Sequence, residues 1–190
     1  MRSPKLVSAK RAALLVVDVQ ERLAAAMDEA WLRDVVENTV RIIETAKILS
    51  LPLIVTEQYP KGLGGTLPAV RETLGDAPIF EKVRFSVFGN EEVYARLKEA
   101  RVRDVLLAGM ETHVCVSQSA YDLEALGMRP VVLSDAVSSR FREDHDAAIA
   151  RFRTDGISAT TTEAVMFELL ESAGTETFER VRKLVRRTSR

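Results

Sequence analysis

Short apolar runs alternate along the chain with longer stretches in which apolar residues recur every three or four positions. The short runs suit strands buried on both faces, and the 3.6-residue recurrence suits helices laid over them. Six strands are predicted: Ala12 to Asp18, Pro52 to Thr56, Pro78 to Glu81, Asp104 to Gly109, Pro130 to Ser134 and Ser158 to Thr161. Between the first two, Leu32, Val35, Val36, Ile43, Ala46 and Leu49 predict a long amphipathic helix over Trp31 to Ser50. Another helix should start at Asn90, a capping residue followed by Glu91 and Glu92, which complement the helix dipole. Asp144 to Phe152 and Glu163 to Ser172 fit two more, and Gly127 and Gly156 fit helix stops. Repeated βα units predict an α/β protein, a three-layer αβα sandwich around a six-stranded parallel sheet of Rossmann-like class.

Composition adds bounds to this picture. A length of 190 residues with 46% apolar content fits one domain spanning residues 1–190, and no linker or repeat divides it. The net charge of -1 gives no reason to expect nucleic acid as a partner. The apolar run Ala12 to Val17 is too short to span a membrane, and the first residues lack a signal-like apolar stretch, so a cytoplasmic location is expected. Residues 175–190 are strongly basic, and Phe178, Val181 and Val185 predict a terminal helix or tail that is solvated along most of its surface and docked by one apolar edge. One cysteine makes no internal disulfide, and two histidines offer little to a soft metal.

Candidate chemistry comes from the strand ends. In a doubly wound sheet the ligand crevice lies beyond the carboxyl ends of the strands, where strand order reverses. That rule selects Asp18 after the first strand, Lys82 after the third, and the turn Gly109-Met110-Glu111-Thr112-His113-Val114-Cys115 after the fourth. A carboxylate, an ammonium and a thiol are thus expected at one rim. Cys115 near a helix N-terminus should be biased toward thiolate, and hence should alkylate at pH 7 faster than a free thiol. Singly, the bland readings stand: a cap for Asp18, a solvated strand end for Lys82, packing for Cys115. A nucleotide-binding reading wants glycines after the first strand, and Asp18-Val19-Gln20-Glu21-Arg22 has none. The Gly62, Gly64 and Gly65 cluster lacks a P-loop ending and predicts a mobile loop beside the pocket.

On these motifs the chain resembles the isochorismatase-like cysteine hydrolases. The matching segments are Leu14 to Gln20 with its Asp-x-Gln ending, Lys82 with Phe85-Ser86-Val87-Phe88, the turn Gly109 to Cys115, and Leu133 to Arg140 with its Asp-Ala pattern. Thr56 to Gly64 is most similar to the isochorismatase domain-containing subgroup. The resemblance implies a catalytic set of Asp18, Lys82 and Cys115. It also implies a cis Met110-Glu111 peptide, an oxyanion hole made by the backbone amides of Glu111 and Cys115, no cofactor, and a homo-oligomer of two or more subunits. Nicotinamidase relatives bind a metal through histidines beyond the second strand; here no histidine precedes His113, so no metal site of that kind is expected.

The expected activity is metal-independent hydrolysis of a small amide-type substrate through a thioester on Cys115, with Asp18 as base. The alternatives are vinyl-ether hydrolysis of the isochorismatase type, or a binding or scaffold role with weak catalysis. Gln20, Tyr59, Phe85, Thr112 and His113 flank the rim and are candidates for substrate contact, with core packing an equal claim on Tyr59 and Phe85. His113 stands two residues from Cys115, a poor spacing for a direct pair on a helix, and fits pocket lining or a structural hydrogen bond better than catalysis.

Overall fold

The computed structural model describes residues 2–185. Six strands form one sheet in the order β3-β2-β1-β4-β5-β6: β1 Ala12–Val17, β2 Leu53–Gln58, β3 Ile79–Lys82, β4 Asp104–Met110, β5 Arg129–Ser138 and β6 Ser158–Thr160. Every pairing is parallel. In chain order the helices among the described residues are α1 Glu21–Ala24, α2 Glu29–Ile48, α3 Pro60–Leu63, α4 Pro68–Arg71, α5 Glu91–Glu99, α6 Ser117–Ala125, α7 Arg142–Asp155, α8 Thr162–Leu170 and α9 Glu176–Val185. None of the described helices is long and apolar enough to cross a membrane.

The continuous apolar run of β1 follows from burial on both sides. Leu14 and Val16 face Ile42, Ile43 and Ala46 of α2, Val165 and Leu169 of α8, and Val181 of α9. Ala13, Leu15 and Val17 face Val93 and Leu97 of α5, Ala120 and Leu123 of α6, and Ile149 and Phe152 of α7. Each fully buried Leu or Val contributes about 1.5–3 kcal/mol, so the two cores hold the sheet from either side. The basic terminal segment folds as α9, with Val181 buried against the α2–α8 layer; residues 186–190 of that prediction lie outside the described residues.

Three local predictions need correction. Asp18 is not the last strand residue: its φ of +50° leaves the extended region, so β1 ends at Val17 and the carboxylate turns off the strand. β5 runs to Ser138 rather than Ser134, because its register with β4 jumps from Leu107–Val132 to Gly109–Val137, a bulge that lets the chain rejoin the sheet beyond Asp135. The glycine-rich segment after β2 is built rather than loose. It forms α3, and Arg22 Nη1 donates to Gly62 O (2.7 Å), Gln20 Nε2 to Gly64 O (2.6 Å) and Glu21 N to Gly65 O (3.1 Å).

Strand order reverses between β1 and β4, which lie side by side although β2 and β3 extend the other way. The crevice expected at that switch point opens at their carboxyl ends. At the opposite end of the sheet, buried Asp104 accepts from Arg11 Nε (3.1 Å) and Arg129 Nε (2.9 Å), a neutralised pair of contacts that fixes the start of β4.

Candidate active site

β1, β2 and β3 end side by side, and their last residues meet. Lys82 Nζ donates to Asp18 Oδ2 (2.6 Å), to Gln58 Oε1 (2.7 Å) and to the carbonyl of Phe85 (2.9 Å). Thr56 Oγ1 donates to Asp18 Oδ1 (2.7 Å). Both charged side chains are fully shielded from solvent. A buried ion pair survives only when its remaining donors and acceptors are satisfied, and here Thr56, Gln58 and the Phe85 carbonyl satisfy them. The register makes this legible: Val17 pairs Thr56 and Gln58 pairs Lys82, so alternate residues of β2 reach the same side as the ends of both neighbours.

β4 carries the third group. Beyond Met110 the Met110-Glu111 peptide is cis, and the chain then winds through a π-helical turn, Thr112–Val116, into α6. Cys115 therefore sits in the wider turn before α6 rather than in that helix's first turn, and π turns recur at functional sites. Its thiol lies close enough to Asp18 and Lys82 to feel both charges. Ser119 Oγ donates to the Cys115 carbonyl (2.6 Å) and accepts from Val87 N (3.1 Å), which ties the turn to the segment after β3.

The expectation of an activated thiolate is overturned. Burial, with the Asp18 carboxylate next in weight, pushes the Cys115 thiol up to about 12, against the opposing pull of Lys82. At pH 7 the Cys115 sulfur rests as a thiol. Alkylation by iodoacetamide at pH 7 should therefore be slower than for a free thiol and should rise with pH toward 12. Asp18→Asn removes an anion that raises the thiol, so its labelling at pH 7 should exceed wild type although burial is unchanged. Faster labelling of the wild type would defeat this reading.

The other predicted residues divide. Gln20 is fully buried and its amide is committed to backbone: it donates to Gln58 O and Gly64 O and accepts from Gln58 N (2.7 Å). Tyr59 and Phe85 are exposed at the rim, at 54% and 52%. His113 has its ring nitrogens on other partners, Nδ1 on Ser139 Oγ (2.9 Å) and Nε2 3.8 Å from Asp144. Thr112 is buried with Oγ1 on His145 Nδ1 (3.0 Å).

Sequence reasoning gave His145 no role, yet it packs edge-on to Trp31 (5.0 Å between centroids) and braces the turn through Thr112. Burial holds its imidazole below the ordinary value, with Asp146 opposing and Arg142 assisting. The Glu111 side chain is likewise held, accepting from Arg140 N (3.1 Å) and Arg140 Nε (2.9 Å). Among the described residues, no three His, Cys, Asp or Glu side chains stand close enough to hold a metal ion.

The fold is a doubly wound α/β sheet with a buried Asp18–Lys82 pair and Cys115 gathered at its switch point. A model of the isochorismatase domain matches residues 12–164, and the chain belongs to the isochorismatase family. Isochorismatase domain-containing protein 2 of Danio rerio is 37% identical over 180 residues, covering 94% of this chain and 89% of that protein. The secreted isochorismatase effector of Phytophthora sojae is 36% identical, covering 91% and 83%. Among solved structures, the MAR1 ribonuclease of Caenorhabditis elegans superposes with a TM-score of 0.89 at 39% identity, covering 95% of this chain and 92% of that one.

Proposed function

We propose that this hydrolase cleaves a small amide-type substrate through a thioester on Cys115. The observation that carries the proposal is the meeting of Cys115 with a buried, fully hydrogen-bonded Asp18–Lys82 pair. Because the resting thiol is protonated, proton transfer to Asp18 accompanies attack. Sulfur forms a bond to the carbonyl carbon while its proton passes to the carboxylate, and the carbonyl oxygen becomes an oxyanion. The backbone amides of Glu111 and Cys115 are its proposed donors, and each such donor is worth about 100-fold or more in rate.

Collapse of that intermediate breaks the C–N bond, and the leaving amine takes the proton from Asp18. Water then gives a proton to Asp18 and adds to the thioester, releasing the acid and restoring the thiol. Lys82 holds the carboxylate in position between these transfers. Thr112 and His113 flank the reacting turn, with Phe85 and Tyr59 at its mouth as candidate substrate contacts. A homo-oligomer acting in the cytoplasm, on a small molecule and without a metal, completes the proposal.

The test is chemical. Small amides, ureides and esters, with RNA oligonucleotides as a further arm because of the ribonuclease relative, are incubated with and without chelator. An acid quench and intact-mass measurement should find an acyl adduct that maps to Cys115 and is released by hydroxylamine. Turnover of a compound with no adduct under burst conditions would point instead to direct water attack, as in vinyl-ether hydrolysis.

A further inference from the structure

Beside the catalytic cluster, on the edge of the sheet, lies a cavity of about 550 Å³. Tyr59, Pro60, Lys61, Glu81, Val83 and Arg84 form most of its wall. Cys115 and Asp18 do not line it. Lys82 and Gly89 do, but the Lys82 ammonium is already committed to Asp18, Gln58 and the Phe85 carbonyl, so it offers the cavity no free charge.

Two features make this more than a surface dent. The ring of Tyr59 lies against the backbone of Gly62, where a Cβ would stand 2.4 Å from its Cδ1 and Cε1. The stem of Arg84 lies in the same way against Gly89, where a Cβ would stand 2.6 Å from Arg84 Cβ. Gly62 is itself pinned by Arg22 through its carbonyl. The ring of Tyr59 and the base of the Arg84 side chain are thus each braced on a glycine, so the aromatic face has little freedom left to lose on binding while the Arg84 guanidinium stays free to reach an anion.

The charges select a ligand class. Among the described residues neither Lys61 nor Arg84 is in an ion pair, and Glu81 is the cavity's single unpaired carboxylate. Two free cations against one anion, next to a fixed aromatic face and the apolar Val83, favour a flat aromatic ring bearing an anionic group. We propose that this cavity is a second ligand site, adjoining the cysteine centre and sharing Tyr59 and Lys82 with its rim, for a small planar organic anion carrying a carboxylate or phosphate. The proposal is independent of the amidase reading. It also reaches the catalytic cluster, since Lys82 donates to the carbonyl of Phe85, the residue that follows Arg84.

The full chain is titrated by calorimetry with benzoate and phenyl phosphate, which separate the two anion sources, and with benzamide and inorganic phosphate. At least one aromatic anion should bind saturably, and about 10-fold more tightly than benzamide or phosphate alone. Tyr59→Ser and Arg84→Ala should each weaken it about 10-fold or more, while Cys115→Ala leaves it unchanged. Both cavity positions are surface residues, so unaltered melting will separate lost binding from lost folding. Absence of saturable binding at about 10 mM, indifference to both cavity substitutions, or loss of binding in Cys115→Ala would each overturn the proposal.

Discussion

Cys115→Ala is expected to lower kcat/KM for any amide the wild-type protein turns over by at least about 1000-fold, with thermal unfolding changed little. The thiol is the atom proposed to bond to substrate carbon, and alanine leaves Asp18 with no proton to accept and no nucleophile to release. The side chain is small and buried, so removing one sulfur costs stability only on the scale of a modest core truncation. Asp18→Asn should fall nearly as far, because the asparagine keeps the shape but cannot hold the proton between the two half-reactions. The double variant should then be little worse than either single one, as for groups that act as a unit. Retention of more than a tenth of wild-type turnover in Cys115→Ala would remove the cysteine from the reaction. The Asp18→Asn protein carries a second, opposite signature: quicker labelling at neutral pH with slower hydrolysis, since the carboxylate raises the thiol that it also deprotonates.

The inner strands β1, β2, β4 and β5 were legible because they are buried along most of their length and so write short apolar runs that helices cannot mimic at that length. The edge strands β3 and β6 are partly exposed and were placed by their spacing between helical stretches. The ends of the runs were less legible. Asp18 ends one run but leaves the strand by a left-handed φ, which a polar residue after six apolar ones signals only as a boundary. The extension of β5 past Ser134 depends on a bulge opposite Gly109, a property of two strands in register rather than of either one.

The site followed the same division. Asp18, Lys82 and Cys115 were found by a topological rule acting on strand ends, helped by the family resemblance. Their satisfying partners Thr56 and Gln58 were within reach of the same rule, since they end the strand between Asp18 and Lys82. His145 and Arg140 were not. They arrive through side chains from the segment after β5, and neither stands in a spacing that distinguishes it from a solvated helix start. The charge state of Cys115 was misread for a related reason: helix position suggested thiolate, whereas burial and Asp18 decide it, and both are products of tertiary packing.

Gly109→Ala should be the most damaging single methyl in the fold, costing more than about 4 kcal/mol or preventing folding. Gly109 pairs Val17 across the β1–β4 ladder with a φ of +126°. A Cβ there would stand 1.9 Å from Val17 O, 2.7 Å from Val17 C and 2.8 Å from Val17 N. All three atoms are backbone, so no rotamer change relieves the clash; the two central strands must part. They would part at the carboxyl ends, where Asp18 follows Val17 and the turn bearing Cys115 follows Met110, so catalysis and stability should fail together. Gly75→Ala is the matching control, for Gly75 also has a positive φ, +60°, but nothing lies within 4 Å of its Cβ position. It should cost only about 1 kcal/mol, the backbone penalty alone. Urea unfolding of the two variants separates strain from clash: equal midpoints would mean that the close approach of β1 and β4 does not set the need for glycine at 109.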